Sequence, residues 1–350
     1  MVQQKGDHMF NYEWKLADAK FTGERGKVFS CFSGGGGSTM GYKLAGFDVI
    51  GINEIDKRQI AVYTKNFHPK YVYDEPIQTL KLREDLPKEL YELDILDGSF
   101  PCSSFSVAGN TDKDWGKEKK FREGQIKQVL DTLAFDFIDL AKKLQPKMVV
   151  GENVKGLLQK KAKPYVDRIH KELNEAGYEV TQVLMDGSKM GLPQRRQRVF
   201  FLALRKDLVP KVSPIDLNFN EKEIPYGQIK DLQGRPLTEF MTNVWNHRLP
   251  TDKRPRHTKV RIGMKPTTFC QSYMRDDEVL CTLLGTGAHH FISYEKPIYI
   301  SVTEMMKMSS WPSDFDFNGQ APGYVMGMSV PPLMMASVME RVWDAWLSKV

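Results

Sequence analysis

The stretch Lys27-Val28-Phe29-Ser30-Cys31-Phe32-Ser33-Gly34-Gly35-Gly36-Gly37-Ser38-Thr39-Met40-Gly41 decides how the chain is read. A short apolar run, Val28 to Phe32, ends in a glycine turn that leads into a helix. Consecutive glycines let the backbone turn tightly and come close to a ligand. Two common nucleotide loops fail against this stretch. A phosphate loop closes on Gly-Lys-Ser/Thr, whereas Gly41 is followed by Tyr42. A dinucleotide loop needs G-x-G-x-x-G, but counted from Gly34 the third glycine position is Thr39, and from Gly35 it is Met40. Glu54 ends the next apolar run, 20 residues after Gly34, where a carboxylate can accept hydrogen bonds from both ribose hydroxyls. A glycine turn with that carboxylate, and no phosphate-binding features, suits a nucleoside-type cofactor without a pyrophosphate.

Outward from this stretch the same rhythm repeats. Asp48 to Asn53, Leu93 to Leu96, Met148 to Val150 and Val199 to Leu204 read as strands. Ile60 to Asn66, Gln125 to Leu144 and Tyr165 to Ala176 carry helical spacing. Strands alternating with helices predict a mostly parallel α/β sheet. Residues 1–25, polar with scattered aromatics, read as an N-terminal extension. After Arg205, six prolines from Pro210 to Pro255 interrupt the chain and the alternation is lost to about Tyr299. The expected organisation is therefore a catalytic α/β unit over 26–205 plus 322–350, a smaller irregular unit over 206–297, and a return segment over 298–321. Pro331-Pro332 opens a last helix whose apolar stripe reads as core.

With 350 residues, 41% hydrophobic and 27% charged, the composition is that of a globular protein. No apolar run reaches the length of a membrane span, and no leader pattern is visible, so neither a membrane nor a secreted protein is expected. The four cysteines form no C-x-x-C pair, so no metal site is expected and a reducing cytoplasm fits. Charge is concentrated. Between Asn246 and Lys265 stand Arg248, Lys253, Arg254, Arg256, Lys259, Arg261 and Lys265 against Asp252 alone, which equals the whole net charge of +6. Pro250 and Pro255 interrupt this run, so no regular helix is expected there. On charge alone a solvated loop is the better reading, and a phosphate-contacting surface is the functional one.

Three further segments sit at presumed strand ends. They are Gly98-Ser99-Phe100-Pro101-Cys102-Ser103-Ser104-Phe105-Ser106, then Gly151-Glu152-Asn153-Val154, then Gln194-Arg195-Arg196-Gln197-Arg198. In parallel α/β sheets such ends gather at one crevice, where ligands bind. Each residue has a bland reading: a buried thiol, a helix-terminal acid, a solvated arginine face. Together they suit one chemistry. A thiolate adds to an electron-poor ring carbon, a carboxylic acid engages a ring nitrogen, and arginines hold an exocyclic oxygen as charge develops.

In this order the segments resemble the DNA (cytosine-5) methyltransferase family, of bacterial or phage restriction-modification type, over about residues 27–205 and 280–346. The resemblance implies a Rossmann-like S-adenosylmethionine-dependent sheet with a second, smaller target-recognition domain. It implies cofactor contacts at Phe32, Gly34, Gly36, Glu54, Ile55, Asp74, Pro101, Leu133 and Ser329. It implies Cys102 as nucleophile at cytosine C6, Glu152 at N3, and Arg198 with Arg196 near O2, acting on a base flipped out of duplex DNA. Residues 111–122 would close over the DNA. Ser103, Ser106, Lys113, Arg254, Arg256, Arg261 and Arg275 are the implied DNA contacts, and the basic run turns from loop to interface. A cytoplasmic setting in a prokaryotic or phage-infected cell also follows from the resemblance, which leaves open whether the chain is paired with a separately acting cognate restriction endonuclease or solitary. The chain departs from the family pattern at Ser30 (usually Asp), Ser103 (Gln), Met328 (Asn) and around Val302-Thr303-Glu304, which lacks the usual Arg. The competing readings are an RNA cytosine methyltransferase, a non-catalytic DNA-binding regulator and, more distantly, a dinucleotide oxidoreductase.

Overall fold

The computed structural model describes residues 8–101, 132–265 and 271–350. One seven-stranded sheet organises them. Its strands are β1 (Lys27–Cys31), β2 (Asp48–Asn53), β3 (Tyr71–Tyr73), β4 (Ile95–Gly98), β5 (Met148–Val154), β6 (Tyr178–Asp186) and β8 (Gln197–Arg205); the two-residue β7 (Gln194–Arg195) lies outside it. The order is β3-β2-β1-β4-β5-β8-β6. From β3 to β5 every pairing is parallel, and β8 runs antiparallel to both β5 and β6.

Alternation along the strands feeds two apolar layers. Val28, Ile95 and Val150 face α1 (Gly37–Leu44), α2 (Lys57–Asn66) and the C-terminal α10 (Pro332–Ala345), while Phe29, Leu96 and Val149 join the layer that holds α3 (Ile77–Leu80), α4 (Leu133–Leu144) and α5 (Lys163–Glu175). The expected mostly parallel α/β sheet is present. Two strands were not expected. β3 has only three residues, and the edge strand β6 leaves Glu179 and Leu184 exposed, so it lacks a clean apolar signal. Of the helix expected over Gln125–Leu144, the part before Asp131 and that residue itself lie outside the described residues, and α4 begins at Leu133.

Beyond β8 the chain holds α6 (Glu239–Asn246), α7 (Pro255–Arg261), the parallel pair of β9 (Ser272–Met274) and β11 (Phe291–Ser293), and β10 (Leu280–Cys281), which pairs with β7. A small apolar cluster including Met241, Val244 and Tyr273 supports these elements. The expectation of no helix in the basic run is corrected by α7. Pro255 does not break it but opens it at the first turn, where a missing N–H costs nothing and the fixed φ helps.

Two further helices, α8 (Val302–Met308) and α9 (Pro322–Met328), return the chain to α10, which packs on α1. The approach is close: a Cβ on Gly41 would stand 2.4 Å from Met335 Cβ. The N-terminal extension is packed on this return. Tyr12 and Trp14 are buried, Trp14 Nε1 donates to Ser310 O (2.8 Å), and the Leu16 and Ala17 amides donate to the Asp314 carboxylate.

Glu304 ties the irregular segment after β8 to the return. It is fully buried, completes a capping box with Ser301, and accepts from Tyr226 O–H (2.7 Å) and Asp231 N–H (2.9 Å). A buried charged acceptor with several donors is costly to weaken. Glu304→Gln is expected to lower unfolding free energy by about 2 kcal/mol and Tyr226→Phe by about 1 kcal/mol, read as shifts of the urea midpoint. Unchanged midpoints would show that the tie contributes nothing.

Candidate active site

The loops that follow β1, β2 and β4, the end of β5 and the start of β8 line one cavity of ≈ 1460 Å³. Parallel strands bring their carboxyl ends to one edge. The arginine segment precedes its strand and reaches the same edge only because β8 is antiparallel.

The glycine loop forms one wall. Phe32 and Gly34 take left-handed backbone (φ 54° and 51°), and Gly36 (φ 92°) caps α1. A left-handed Phe is uncommon and costs on the order of 1 kcal/mol. A Cβ on Gly34 would meet nothing within 4 Å, so the loop is open to the cavity there. Gly35 and Gly37 serve a different need: their Cβ atoms would fall 2.3 Å from Val325 Cγ1 and from Val330 O, so they admit the returning chain. Glu54 holds the loop to β2. Its carboxylate accepts from the amides of Gly34 (2.9 Å), Ile55 (2.8 Å) and Asp56 (3.0 Å). Burial raises its pKa above the usual carboxylate range, and the three amides oppose that rise.

Ser30 pairs directly with Asp97 across β1 and β4, and its Oγ donates to Asp97 Oδ2 (2.7 Å); Tyr42 O–H donates to Oδ1 (3.0 Å). The carboxylate that the resembling family carries on β1 is thus supplied here by the neighbouring strand at the same level. Burial pushes Asp97 up to about 7.

Opposite the glycine loop stand Glu152 and Arg198. In the β5–β8 register Glu152 faces Phe200, which makes Arg198 its diagonal neighbour on the same face. Arg198 Nε donates to Glu152 Oε1 at 2.9 Å, and Glu152 is only 7% exposed. Burial lowers the Arg198 pKa, and Glu152 opposes that shift. Asn153, beside it, donates from Nδ2 to Phe100 O (3.0 Å) and fixes the chain just before Pro101. Cys102, Ser103, Ser106, Lys113 and the whole of 111–122 lie outside the described residues.

The segment Gln194 to Arg198 divides its labour. Gln194, fully buried, donates to Met308 O and accepts from Leu283 N–H. Arg196, 2% exposed, donates to Leu283 O (3.0 Å), Gly327 O (3.1 Å) and Ser329 O (2.7 Å). Only Arg198 pairs with Glu152.

Among the other expected contacts, Phe32, Ile55, Pro101, Leu133 and Ser329 line the cavity with Gly34 and Glu54. Gly36 stands behind the loop against Phe67, and Asp74 stands apart, paired with Lys57 at 3.5 Å. Arg254 and Arg275 line the cavity, together with Lys253. Arg256 and Arg261 do not; Arg261 is bound to Asp252 and to His247 O. Sequence reasoning passed over Ser33, Gln59, Ile77 and Asn153, all of which line the cavity. Ser33 Oγ, Gln59 Nε2 and Ser99 Oγ are buried with no hydrogen-bond partner among the described residues. A cavity with unfilled polar atoms, a carboxylate at the glycine loop and apolar Ile77 and Leu133 fits a zwitterionic nucleoside cofactor. Among the described residues no three His, Cys, Asp or Glu side chains cluster as metal ligands, and no helix is long and apolar enough to cross a membrane.

The sheet is that of the S-adenosylmethionine-dependent methyltransferase class. The chain belongs to the C-5 cytosine-specific DNA methylase family, whose sequence model matches residues 26–343. It is 29% identical over 347 residues to type II methyltransferase M.FnuDI of Fusobacterium nucleatum, covering 92% of this chain and 96% of that protein. It is 31% identical over 200 residues to orphan methyltransferase M.SPRI of Bacillus phage SPR, covering 57% and 42%. Its fold is shared with a protein encoded within an Escherichia coli prophage (TM-score 0.66, 18% identity, 91% and 99% covered) and with Spodoptera frugiperda DNMT2 (TM-score 0.61, 15% identity, 90% and 99% covered). DNA cytosine methylation is thereby favoured over the RNA and non-catalytic readings.

The buried Asp97 makes stability depend on pH. Its folded pKa, about 7, lies above the 3.8 of a free aspartate, so between these pH values the native state keeps a proton that the unfolded chain releases. Stability from this group falls as pH rises through that window. Between pH 5 and pH 8, wild type is expected to lose about 3 kcal/mol relative to Asp97→Asn, measured by urea denaturation at both pH values. Parallel curves for the two proteins would contradict the protonated Asp97.

Proposed function

We propose that this cavity binds S-adenosylmethionine at the glycine loop and a flipped cytosine between Pro101 and Glu152, and that the chain methylates C5 of cytosine in a specific double-stranded DNA site. The observation that carries this reading is the Glu152–Arg198 ion pair, 2.9 Å long and buried, in the same cavity as the Glu54-anchored glycine loop. When bound, the cofactor supplies an electrophilic methyl group on a sulfonium. Glu54 and Ile55 hold its ribose and adenine, with Phe32, Leu133 and Ser329 around it.

The protein's own groups prepare the base. Cys102, the nucleophile of this reading, releases its thiol proton to solvent and bonds as the thiolate through sulfur to C6. Glu152 places a proton on N3, and Arg198 offsets the charge that develops at O2. The electron pair of the C5–C6 bond is then available at C5. After methylation, water takes the C5 proton, the Cys102 sulfur leaves as the thiolate, and N3 returns its proton to Glu152, which restores the ring. Arg198 also fixes the Glu152 carboxyl, and Asn153 fixes the chain at Phe100, two residues before the nucleophile. Arg196 acts one step back, as a positioning residue: two of its three carbonyl partners, Gly327 O and Ser329 O, hold residues 327–329 against the site, and the third is Leu283 O.

Residues 206–297 form the target-recognition unit in this reading. Lys253, Arg254 and Arg275, on the cavity wall, contact the DNA backbone, Arg256 is assigned to the DNA side outside the cavity, and Arg261 holds α7 through Asp252. Ser103, Ser106 and Lys113 are assigned to the DNA side. The type II relatives fit a separate cognate endonuclease and action in the cytoplasm of a bacterial or phage-infected cell.

Bisulfite sequencing of plasmid from an expressing host tests reaction and target together. Wild type is expected to protect one cytosine within one recurring sequence. Cys102→Ser is expected to reduce protection to background while S-adenosylmethionine binding, followed by calorimetry, survives. Methylation by the Ser variant would refute the nucleophile assignment, and methylation of RNA in place of DNA would refute the substrate.

A further inference from the structure

Four carboxylates line the cavity among the described residues, and three of them have protein partners. Glu54 accepts from the Gly34, Ile55 and Asp56 amides, Asp56 from the Arg58 amide, and Glu152 from Arg198. The fourth, half-buried Glu278, makes no side-chain hydrogen bond or ion pair among the described residues. It shares its wall with Lys253, Arg254 and Arg275, the cations assigned to the DNA backbone. Arg275, the nearest of these in sequence, is engaged elsewhere. It donates to Pro250 O (2.7 Å) and Asp252 O (3.2 Å), and its guanidinium lies 4.0 Å from the centre of the Tyr294 ring. The turn that carries Glu278, between β9 and β10, is fixed by backbone bonds. Glu278 N–H donates to Arg275 O (3.1 Å), Glu278 O accepts from Tyr226 N–H (2.9 Å), and Gly227 N–H donates to Asp276 O (3.0 Å). Asp276 is in turn paired with Lys230 at 2.6 Å.

An ionised carboxylate can only accept hydrogen bonds. Phosphates repel it. The donors on the major-groove edge of duplex DNA are the amino groups at cytosine N4 and adenine N6. Thymine and guanine carry an oxygen, O4 or O6, at the corresponding place and would meet the carboxylate oxygen to oxygen. Resting on the DNA reading above, we propose that Glu278 determines part of the target sequence: it accepts from the exocyclic amino group of one cytosine or adenine in the site and rejects the base that has an oxygen there. Lys253 and Arg254, on the same wall, offset the repulsion between this carboxylate and the neighbouring phosphates. Selection by such a group comes from the repelled base as much as from the accepted one.

Bisulfite sequencing of plasmid first gives the wild-type site, and kcat/KM is then measured on duplexes altered at one base pair of it. At the position read by Glu278, exchange of the amino base for its oxygen counterpart is expected to cost wild type at least about tenfold. Glu278→Gln has nearly the same shape and adds an N–H donor. It is expected to narrow that cost to about twofold, with discrimination elsewhere in the site unchanged. Relaxation of cytosine against thymine assigns the contact to N4; relaxation of adenine against guanine assigns it to N6. Duplexes with 2-pyrimidinone for that cytosine, or purine for that adenine, remove the amino group alone. They are expected to cost wild type about fivefold and to cost Glu278→Ala nothing further. A Gln variant that relaxes no position, or slows every duplex alike, overturns the proposal. So does wild type that is indifferent to the missing amino group at every position outside the target base, a measurement that needs no variant to fold. Wild type that methylates no DNA would instead refute the reading on which the proposal rests.

Discussion

The antiparallel insertion of β8 beside β5 is the constraint on which the site depends. Five parallel strands would deliver the glycine loop, Glu54, Pro101 and Glu152 to one edge without help. They would not deliver an arginine that precedes its strand. Running β8 the other way puts its first residues at that edge, and the β5–β8 register then sets Arg198 diagonally beside Glu152. A slip of one residue would turn Arg198 to the opposite face and leave a buried carboxylate without its cation.

The same segment joins the two ends of the chain. Alternate residues of Gln194 to Arg198 have separate duties: Gln194 and Arg196 bind the amide and carbonyl of Leu283 and carbonyls of the returning chain, and Arg198 pairs with Glu152. The return also presses on the glycine loop, where Gly35 and Gly37 leave room for Val325 and Val330. The loop is therefore shaped from behind by the C-terminal segment and from below by Glu54. Replacement of the β1 acid by Ser30 does not empty this region of a carboxyl group, because Asp97 on β4 meets Ser30 in direct register.

Much of this was legible in the sequence because it is local. The glycine run, the carboxylate at the end of β2, and the Pro-Cys, Glu-Asn-Val and Gln-x-Arg-x-Arg segments each lie within a few residues. What was hidden depends on tertiary contact. Charge density could not tell Lys253 and Arg254, on the cavity wall, from Arg261, which Asp252 engages nine residues away. Nothing local distinguishes Arg196 from Arg198; only the carbonyls of Leu283, Gly327 and Ser329 do. Glu278 stands in a run of acids, Asp276 to Glu278, and only its unpaired carboxylate on the cavity wall marks it. Pro255 misled because the start of a helix and its interruption use the same residue.

In the proposed reaction a thiol from residue 102 and the acid at residue 152 act on the same extruded cytosine. Duplex DNA with 5-fluorocytosine at the target position tests it directly, because fluorine blocks the final loss of the C5 substituent and so traps the adduct. Incubated with the cofactor, the protein is expected to form a denaturant-resistant complex with this DNA, and peptide mapping should locate the bond at Cys102. A protein that methylates the unmodified site yet forms no such complex, or bonds through another residue, would contradict the account.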